Sequence, residues 1–264
     1  MHPTLFHIFG FRVDTYSVVW FVALSLAILW SIRRLAIYHL DDYESRRVMA
    51  LSFFFMLVGA KAFGYIADWD LYMSRPSLFL DINHGGVHEF GAVSGAFLSA
   101  FVMCCIFPRK VSFSKLCDAA SPPAMLAITV GRWGCFLNGC CVGLPTDSFL
   151  GVHFPFDGAK VFRHPVQIYY SVISLVIVGV LLWTERKVIP IQRRHKTHYS
   201  VVAPLAVILY SLMRIAIVPV RDPQPLMWMM THSLTYKGIS IALPFMCVWL
   251  AYSLIQLKSL SQCK

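Results

Sequence analysis

The sequence places an arginine inside an apolar segment and follows it with a glycine-rich turn. Residues 131–146 have the sequence GRWGCFLNGCCVGLPT, so Arg132 lies close to the end of a hydrophobic run. Arginine keeps its charge in proteins, and a guanidinium at membrane depth is costly unless an anion, carbonyl groups or water accompany it. Arg132 is therefore a candidate functional residue.

The composition is typical of a protein that crosses a membrane several times. Of the 264 residues, 58% are hydrophobic and 14% are charged, whereas soluble domains contain roughly 25% charged residues. Apolar runs of about 20 residues are long enough to cross the hydrocarbon core of a bilayer. We predict an all-α integral membrane protein, a single multi-spanning domain over residues 1–264 with a small loop region at the outer face. Its seven predicted spans are residues 13–32, 48–67, 91–108, 117–136, 166–184, 200–220 and 238–257.

The basic residues fall into short clusters between the apolar runs and form no contiguous basic face, which argues against nucleic-acid binding. When alternate loops are assigned to opposite sides, 14 lysines and arginines lie on one side and six on the other. The positive-inside rule places the richer side in the cytoplasm, with the N-terminus outside and the C-terminus inside. The pattern predicts a multi-pass protein of the bacterial inner (cytoplasmic) membrane.

Three cationic side chains lie inside or at the ends of apolar runs: Lys61, Arg132 and Arg214. Arg221 follows Arg214 by seven residues, close to two helical turns, so we expect both to project from one face of the sixth span. Few acidic residues lie within the spans, and these cations therefore predict an anionic ligand such as a phospholipid phosphate. The alternatives are hydrogen bonds to carbonyl groups for the arginines, and snorkelling or a pair with Asp68 for Lys61.

Two further groups of residues lie at the predicted outer face. Cys135, Cys140 and Cys141 end the fourth span. They could form a disulfide that pins the glycine turn, hold a metal without the paired CxxC spacing of structural zinc, or pack as small residues. We expect packing and no metal. His164-Pro165-Val166-Gln167-Ile168-Tyr169 begins the fifth span with an imidazole, an amide and a phenol, which bind polar groups or act as interfacial anchors.

These motifs together resemble the prolipoprotein diacylglyceryl transferase family in order and spacing. The similarity is carried by GRxGxFxNGxxxG from Gly131, HPxQxY from His164, Arg214 with Arg221-x-Pro223, Gly238-x-Ser240, Tyr16 and Gly59-Ala60-Lys61. The resemblance implies transfer of the diacylglyceryl group of phosphatidylglycerol to the thiol of a lipobox cysteine in a secreted preprolipoprotein, or to another outer-face acceptor. Glycerol phosphate is released, and no metal or organic cofactor is implied.

The resemblance also implies roles for individual residues. Arg132 and Arg214 would hold the headgroup phosphate and offset the charge that develops on the leaving glycerol phosphate. Asn138 and Gly143 would shape the lipid pocket. Tyr16, Gln167 and Tyr169 would orient lipid or peptide, and the remaining residues that we assign to substrate binding are Lys61, His164 and Arg221.

The sequence departs from the family pattern at the motif histidine expected where the third span begins. That histidine is a candidate base for the thiol, but Phe90 occupies its position and cannot accept a proton. We name His88 and Glu89 as substitute catalytic residues, because either needs only hydrogen-bond reach of the thiol; the alternative is that both are ordinary polar loop residues. Other departures are Cys135 for Asn, Cys140 for Glu, Leu144 for Arg, Tyr170 for Glu, Val218 for an acid and Lys61 for Arg.

The departures leave two classes of function open. Retained arginines with a lost histidine and lost acids suit a transferase with altered acceptor chemistry. They also suit a non-catalytic lipid-binding or assembly protein. A solute transporter is disfavoured, because the chain lacks repeated halves with paired broken helices.

Overall fold

The computed structural model describes residues 4–8, 11–40, 42–67, 69–80, 89–106, 111–157, 161–222 and 227–262. Within them the chain forms short strands and long helices. In chain order these are β1 (Thr4–Ile8), β2 (Phe11–Asp14), α1 (Thr15–Arg34), α2 (Tyr43–Ala67), α3 (Trp69–Ser74), α4 (Glu89–Ile106), α5 (Phe113–Asn138), β3 (Val152–His153), β4 (Phe162–Arg163), α6 (Val166–Arg194), α7 (Val202–Ile217) and α8 (Met227–Gln262).

Each of the seven predicted spans overlaps one of the long helices, which confirms an all-α membrane protein. Among the described residues, five helical segments are long and apolar enough to cross a bilayer: Thr15–Tyr38, Tyr43–Ile66, Val166–Arg194, Val202–Val220 and Ile239–Gln262. The shorter apolar segment Gly91–Ile106 lies in α4. That all seven helices cross the membrane stays a prediction.

The paired prolines of the fourth predicted span do not break its helix. Pro122 and Pro123 lie inside α5, which begins at Phe113. Proline removes a backbone donor from the helix, and nearby hydroxyl groups commonly compensate in membrane helices. Ser121 donates its hydroxyl to the carbonyl of Cys117 at 2.7 Å. The helix therefore extends beyond both limits that hydropathy gives it.

The chain divides into two compact units. The first comprises Met1–Ser31, Cys117–Asp222 and Leu243–Lys264, and the second comprises Ile32–Leu116 and Pro223–Ala242. The core of the first unit is built by α6 and α7 with one residue from α5. Its buried members are Met125, Val166, Tyr170, Ile177, Val178, Leu181, Val202, Ala206, Met213 and Ile217.

A buried carboxylate fixes the start of α7 in the first unit. Asp118, 1% exposed, accepts hydrogen bonds from the Ser200 hydroxyl and from the Ala203 backbone N–H, each at 2.7 Å. His198 Nε2 lies 3.3 Å from its second oxygen. The first amides of a helix have no partner within the helix, so this carboxylate supplies one. Asp118 stands 14 residues before Arg132 on α5, about 21 Å along the helix axis.

Glycines let α1 approach α5 closely beside Arg132. A Cβ at Gly131 would lie 2.7 Å from the ring of Trp20, and a Cβ at Gly134 would lie 3.1 Å from Val19 Cβ. The glycines of the GRWG motif therefore serve helix packing, and they place Tyr16 of α1 within electrostatic range of Arg132.

In the second unit, α2 packs against α4 through glycines on both helices. A Cβ at Gly59 would clash with the carbonyl oxygen of Gly91, and a Cβ at Gly95 would clash with that of Phe55. Small residues that let helix backbones meet are typical of helix pairs in membranes. Gly59 of the Gly59-Ala60-Lys61 motif therefore has a packing role.

Candidate anion-binding site

Three guanidinium groups surround one buried aromatic ring in the first unit. The guanidinium carbon of Arg132 lies 4.2 Å from the ring centroid of Tyr170, that of Arg214 at 5.9 Å and that of Arg221 at 6.0 Å. Tyr170 is 1% exposed, and the three arginines are 4 to 7% exposed. We call this group the arginine cluster. It brings together the three arginines that the sequence motifs singled out.

The three arginines reach the ring from different segments. Arg132 is in the last two turns of α5, and Arg214 is in the last turn of α7. Arg221 is not on a helix: α7 ends at Ile217, a 3-10 turn covers Val218–Val220, and the backbone of Arg221 is extended. The expectation that Arg214 and Arg221 share one helical face was therefore wrong, although both side chains arrive at the same ring.

The positive charges of the cluster lie close enough to repel one another. The distances to the common ring place Arg132 and Arg214 no more than about 10 Å apart, which at an effective dielectric constant of about 20 corresponds to a repulsion of at least about 1.5 kcal/mol. The ring face of Tyr170 offsets part of this cost, since a desolvated cation–π contact contributes about 2 kcal/mol. An anion placed among the three groups would be attracted by all three positive charges, so the arrangement favours binding of a phosphate or a carboxylate.

Gly143 joins the segments that carry His164 and Arg221. Its N–H donates to the His164 carbonyl at 3.0 Å, and the next N–H, of Leu144, donates to the Val220 carbonyl at 2.9 Å. A Cβ at Gly143 would lie 2.6 Å from His164 Cβ, from the His164 carbonyl and from the Val220 carbonyl. No side chain fits there without moving backbone. The motif glycine is thus required for the turn that delivers Arg221.

An ion-pair network that the sequence analysis did not single out supports the same turn. Arg163 Nε donates to Asp157 Oδ2 at 2.8 Å, and Arg163 Nη1 donates to Asp222 Oδ2 at 2.6 Å and to the Gly143 carbonyl at 3.3 Å. The bond to Asp157 raises the pKa of the Arg163 guanidinium above its ordinary value. Asp222 follows Arg221 directly, so the network fixes the backbone beside the cluster. Asp222 is 59 residues away from Arg163 in the sequence, so spacing gives no indication of the bond between them.

The residues of the His-Pro motif have different partners. His164 Nδ1 and the Tyr169 hydroxyl form a hydrogen bond at 3.1 Å. Gln167, 1% exposed, donates from Nε2 to the Cys140 carbonyl at 2.6 Å and so holds the glycine turn. Its Oε1 atom is buried, with no hydrogen-bond partner among the residues that the structure describes. Asn138, half-buried, is the last residue of α5.

The three cysteines of the glycine turn meet as free thiols. The sulfur atoms of Cys135, Cys140 and Cys141 all lie within 4.8 Å of one another, and none of the three is in a disulfide. The hypothesis of a disulfide among them is therefore contradicted by the structure. Hydrogen bonds from the Cys135 and Cys140 thiols, with Arg132 and Arg221 nearby, hold the pKa of the Cys141 thiol well below its usual range despite its burial.

The remaining predicted site residues belong to the second unit. Lys61 is half-buried on α2, with its Nζ 5.4 Å from the ring centroid of Tyr65. Asp68, its suggested partner, and His88, a suggested base, lie outside the described residues. Glu89 is the first residue of α4, but its side chain lies outside the described part of the structure.

The chain is similar to known proteins over most of its length. The model of the family described as prolipoprotein diacylglyceryl transferase matches residues 3–255. A phosphatidylglycerol–prolipoprotein diacylglyceryl transferase of Clostridium novyi is 31% identical over 196 residues, which cover 71% of this chain and 74% of that protein. A protein of the same name from Synechococcus elongatus is 28% identical over 264 residues, covering 97% of this chain and 86% of its own length. The chain belongs to the prolipoprotein diacylglyceryl transferase family, a family of enzymes.

Proposed function

We propose that this protein transfers the diacylglyceryl group of phosphatidylglycerol to the thiol of a prolipoprotein cysteine, with release of glycerol phosphate. The observation that carries the proposal is the arginine cluster around Tyr170. Three buried guanidinium groups within 6.0 Å of one ring form a site for a single phosphate, and arginine binds phosphate through a fork of parallel donors. The relatives' names supply the lipid and the acceptor.

The glycerol headgroup of phosphatidylglycerol fits a second feature of the site. Its hydroxyl groups are hydrogen-bond donors, and the buried Oε1 of Gln167 is an acceptor with no other partner in the described part of the chain. A buried acceptor without a donor costs about 1–3 kcal/mol, which a headgroup hydroxyl would recover. Tyr169 and His164, bonded to each other, stand at the same helix start and complete a polar surface for the lipid.

The reaction follows from the charges of the site. A sulfur–carbon bond forms between the acceptor cysteine and the glyceryl carbon, the carbon–oxygen bond to phosphate breaks, and glycerol phosphate leaves with the electron pair. Negative charge grows on the leaving phosphate, where Arg132 and Arg214 are already positioned and need little reorganisation. The thiol proton passes to a base; His88 and Glu89 are our candidates, because Phe90 cannot accept it.

The proposed setting is the bacterial inner membrane. We propose seven spans with the N-terminus outside and the C-terminus in the cytoplasm, following the excess of basic residues on one set of loops. Within the first unit, Asp118 and the start of α7 then face the cytoplasm, about 21 Å along α5 from Arg132. The arginine cluster then lies near the outer leaflet, where the secreted acceptor arrives.

A second function remains a candidate because of one residue. Phe90 replaces the family's histidine, so a protein that binds phosphatidylglycerol without transferring it would retain the same arginine cluster. Such a protein would act in lipid binding or assembly.

Lipid transfer in proteoliposomes separates the two functions. Purified protein is reconstituted with phosphatidylglycerol labelled in its acyl chains, and label is counted on a synthetic lipobox peptide. We expect transfer by the wild type and at least a hundredfold loss in Arg132→Ala and Arg214→Ala, because a charged hydrogen bond to phosphate contributes about 1.5–3 kcal/mol and buried cationic sites cost more. Equal transfer by the wild type and both variants would contradict the proposal. Retention of the lipid without any release of glycerol phosphate would establish the binding protein instead.

A further inference from the structure

The proposed reaction gives no role to the three thiols beside the arginine cluster. The sulfur atoms of Cys135, Cys140 and Cys141 come from a seven-residue stretch, and all lie within 4.8 Å of one another. Cys135 is buried, and the other two are half-buried. Deprotonated cysteine sulfur is the ligand that thiophilic metals prefer.

The backbone assembles this cluster by a specific helix ending. The N–H of Gly139 donates to the Phe136 carbonyl at 3.1 Å, and the N–H of Cys140 donates to the Cys135 carbonyl at 3.0 Å. With Gly139 at a φ of 75°, these two bonds form a Schellman motif. That motif brings together the residue three positions before the last helical residue and the second residue after it, normally a pair of apolar side chains. In this chain both positions are cysteines.

The third thiol, that of Cys141, reaches the other two because its backbone has an unusual conformation. Cys141 has a φ of 59°, in the left-handed region that glycine, asparagine and aspartate occupy far more readily than cysteine. A non-glycine residue in this region lowers the stability of the fold by of order 1 kcal/mol or more, and contacts of the surrounding structure must offset that loss. The Gln167 bond to the Cys140 carbonyl and the bond from Asp222 N–H to the Val142 carbonyl hold the two sides of this residue.

The spacing of the thiols is close to that of a metal site. A Zn–S bond of about 2.3 Å places tetrahedral sulfur ligands about 3.8 Å apart. The observed limit of 4.8 Å requires each pair to close by about 1 Å at most, within the reach of small χ1 changes. Three protein ligands leave a fourth position open for water or a small ligand.

The charges nearby favour a complex of three thiolates. Arg132 precedes Cys135 by three residues on α5, and the backbone of Arg221 is bridged to Gly143, two residues after Cys141. Three thiolates give a net charge of −1 with a divalent ion and −2 with a monovalent one. The two guanidinium charges equal the negative charge of the monovalent complex and exceed that of the divalent complex by one. The donor set contains sulfur alone, which selects soft ions and excludes Mg²⁺ and Ca²⁺.

We propose that Cys135, Cys140 and Cys141 form a binding site for one thiophilic d¹⁰ metal ion, Zn²⁺ or Cu⁺. Binding releases to solvent the protons that the three sulfur atoms still carry and forms three metal–sulfur bonds, and neither the metal nor sulfur changes oxidation state. The sequence predicts no metal here, because the spacing of the cysteines lacks the CxxC pairs of structural zinc sites. The proposed site differs from that prediction. The Schellman turn and the left-handed Cys141 create the proximity that the spacing does not indicate.

The test measures metal on the full-length purified protein, independently of lipid transfer. Reduced protein is equilibrated with Zn²⁺ alone or with Cu⁺ alone, desalted, and assayed by elemental mass spectrometry. We expect one ion per chain in the wild type and in the control Cys247→Ser, which changes an exposed cysteine on α8. Each of Cys135→Ser, Cys140→Ser and Cys141→Ser should weaken binding at least tenfold. The two arms show which ion the site prefers.

A measurement on the unmodified chain covers the case in which a serine variant fails to fold. Zn²⁺ or Cu⁺ should protect Cys135, Cys140 and Cys141 together from alkylation by N-ethylmaleimide, as read by peptide mass spectrometry, and a chelator should reverse the protection. Protection of none of the three, or retention of one ion by all three serine variants, would overturn the proposal. So would a mass two hydrogens lower on the peptide that contains them, because that identifies a disulfide.

Discussion

We expect the Tyr170 ring to hold the arginine side chains in the positions that lipid transfer requires. Tyr170→Leu removes the ring that lies 4.2 Å from the Arg132 guanidinium and about 6 Å from the other two. The nearest contact, buried and desolvated, contributes about 2 kcal/mol. If that free energy positions Arg132 for the transition state, kcat/KM for lipid transfer should fall about 30-fold.

The conservative variant separates the ring from its hydroxyl. Arg221 Nη1 donates to the Tyr170 hydroxyl at 3.5 Å, the outer limit of hydrogen-bond length, so Tyr170→Phe should lower kcat/KM less than about threefold. Leu181→Ala is a matched control, since it shrinks a fully buried residue on the same helix about 16 Å away. It should reduce stability by about 3 kcal/mol and leave kcat/KM unchanged.

The assay is transfer of labelled diacylglyceryl to a lipobox peptide at several lipid concentrations, with the melting temperature of each variant measured in the same detergent. Wild-type kcat/KM in folded Tyr170→Leu protein would show that the ring does not position Arg132. Equal impairment of Tyr170→Phe and Tyr170→Leu would contradict the same expectation, because the hydroxyl and not the ring would then be the essential group.

Two substitutions and one pH measurement test the glycine turn, the start of α7 and the Cys141 thiol. Gly143→Ala should lose more than tenfold in transfer and melt at a lower temperature, because its Cβ would meet backbone at 2.6 Å, whereas Gly179→Ala, with nothing within 4 Å, should not impair either property. Asp118→Asn should reduce stability by about 1–3 kcal/mol through its lost charge-assisted bonds, with little change in the transfer rate of the folded protein. The alkylation rate of Cys141 in metal-free protein should rise with pH around a midpoint below about 8.5, because its pKa is lowered; a midpoint at or above the free-cysteine value would contradict the position assigned to it.

The membrane class and the helices were predictable because each depends on local properties of the chain. Long apolar runs give α1, α2, α6 and α7 directly, since a bilayer requires about 20 apolar residues with internally satisfied backbone. The motif arginines were also predictable, because a charge in such a run needs a reason to be there.

The way the site is built was not predictable, since it depends on turns and distant contacts. Helical periodicity assigns Arg221 to α7, but Pro219 lies in a 3-10 turn and a bridge to Gly143 positions the arginine instead. In the sequence, Tyr170 is only a replacement for a family acid. The structure shows that its ring lies among three guanidinium groups. The thiol cluster requires two residues with positive φ, a property that the sequence suggests at Gly139 and not at Cys141.

The most direct test of the central claim is an experimental structure of the protein in a lipid nanodisc that contains phosphatidylglycerol. We expect the headgroup phosphate within hydrogen-bond distance of at least two of Arg132, Arg214 and Arg221, beside the Tyr170 ring. A phosphate bound elsewhere, with those three guanidinium groups engaged only by protein carbonyl groups, would contradict that claim.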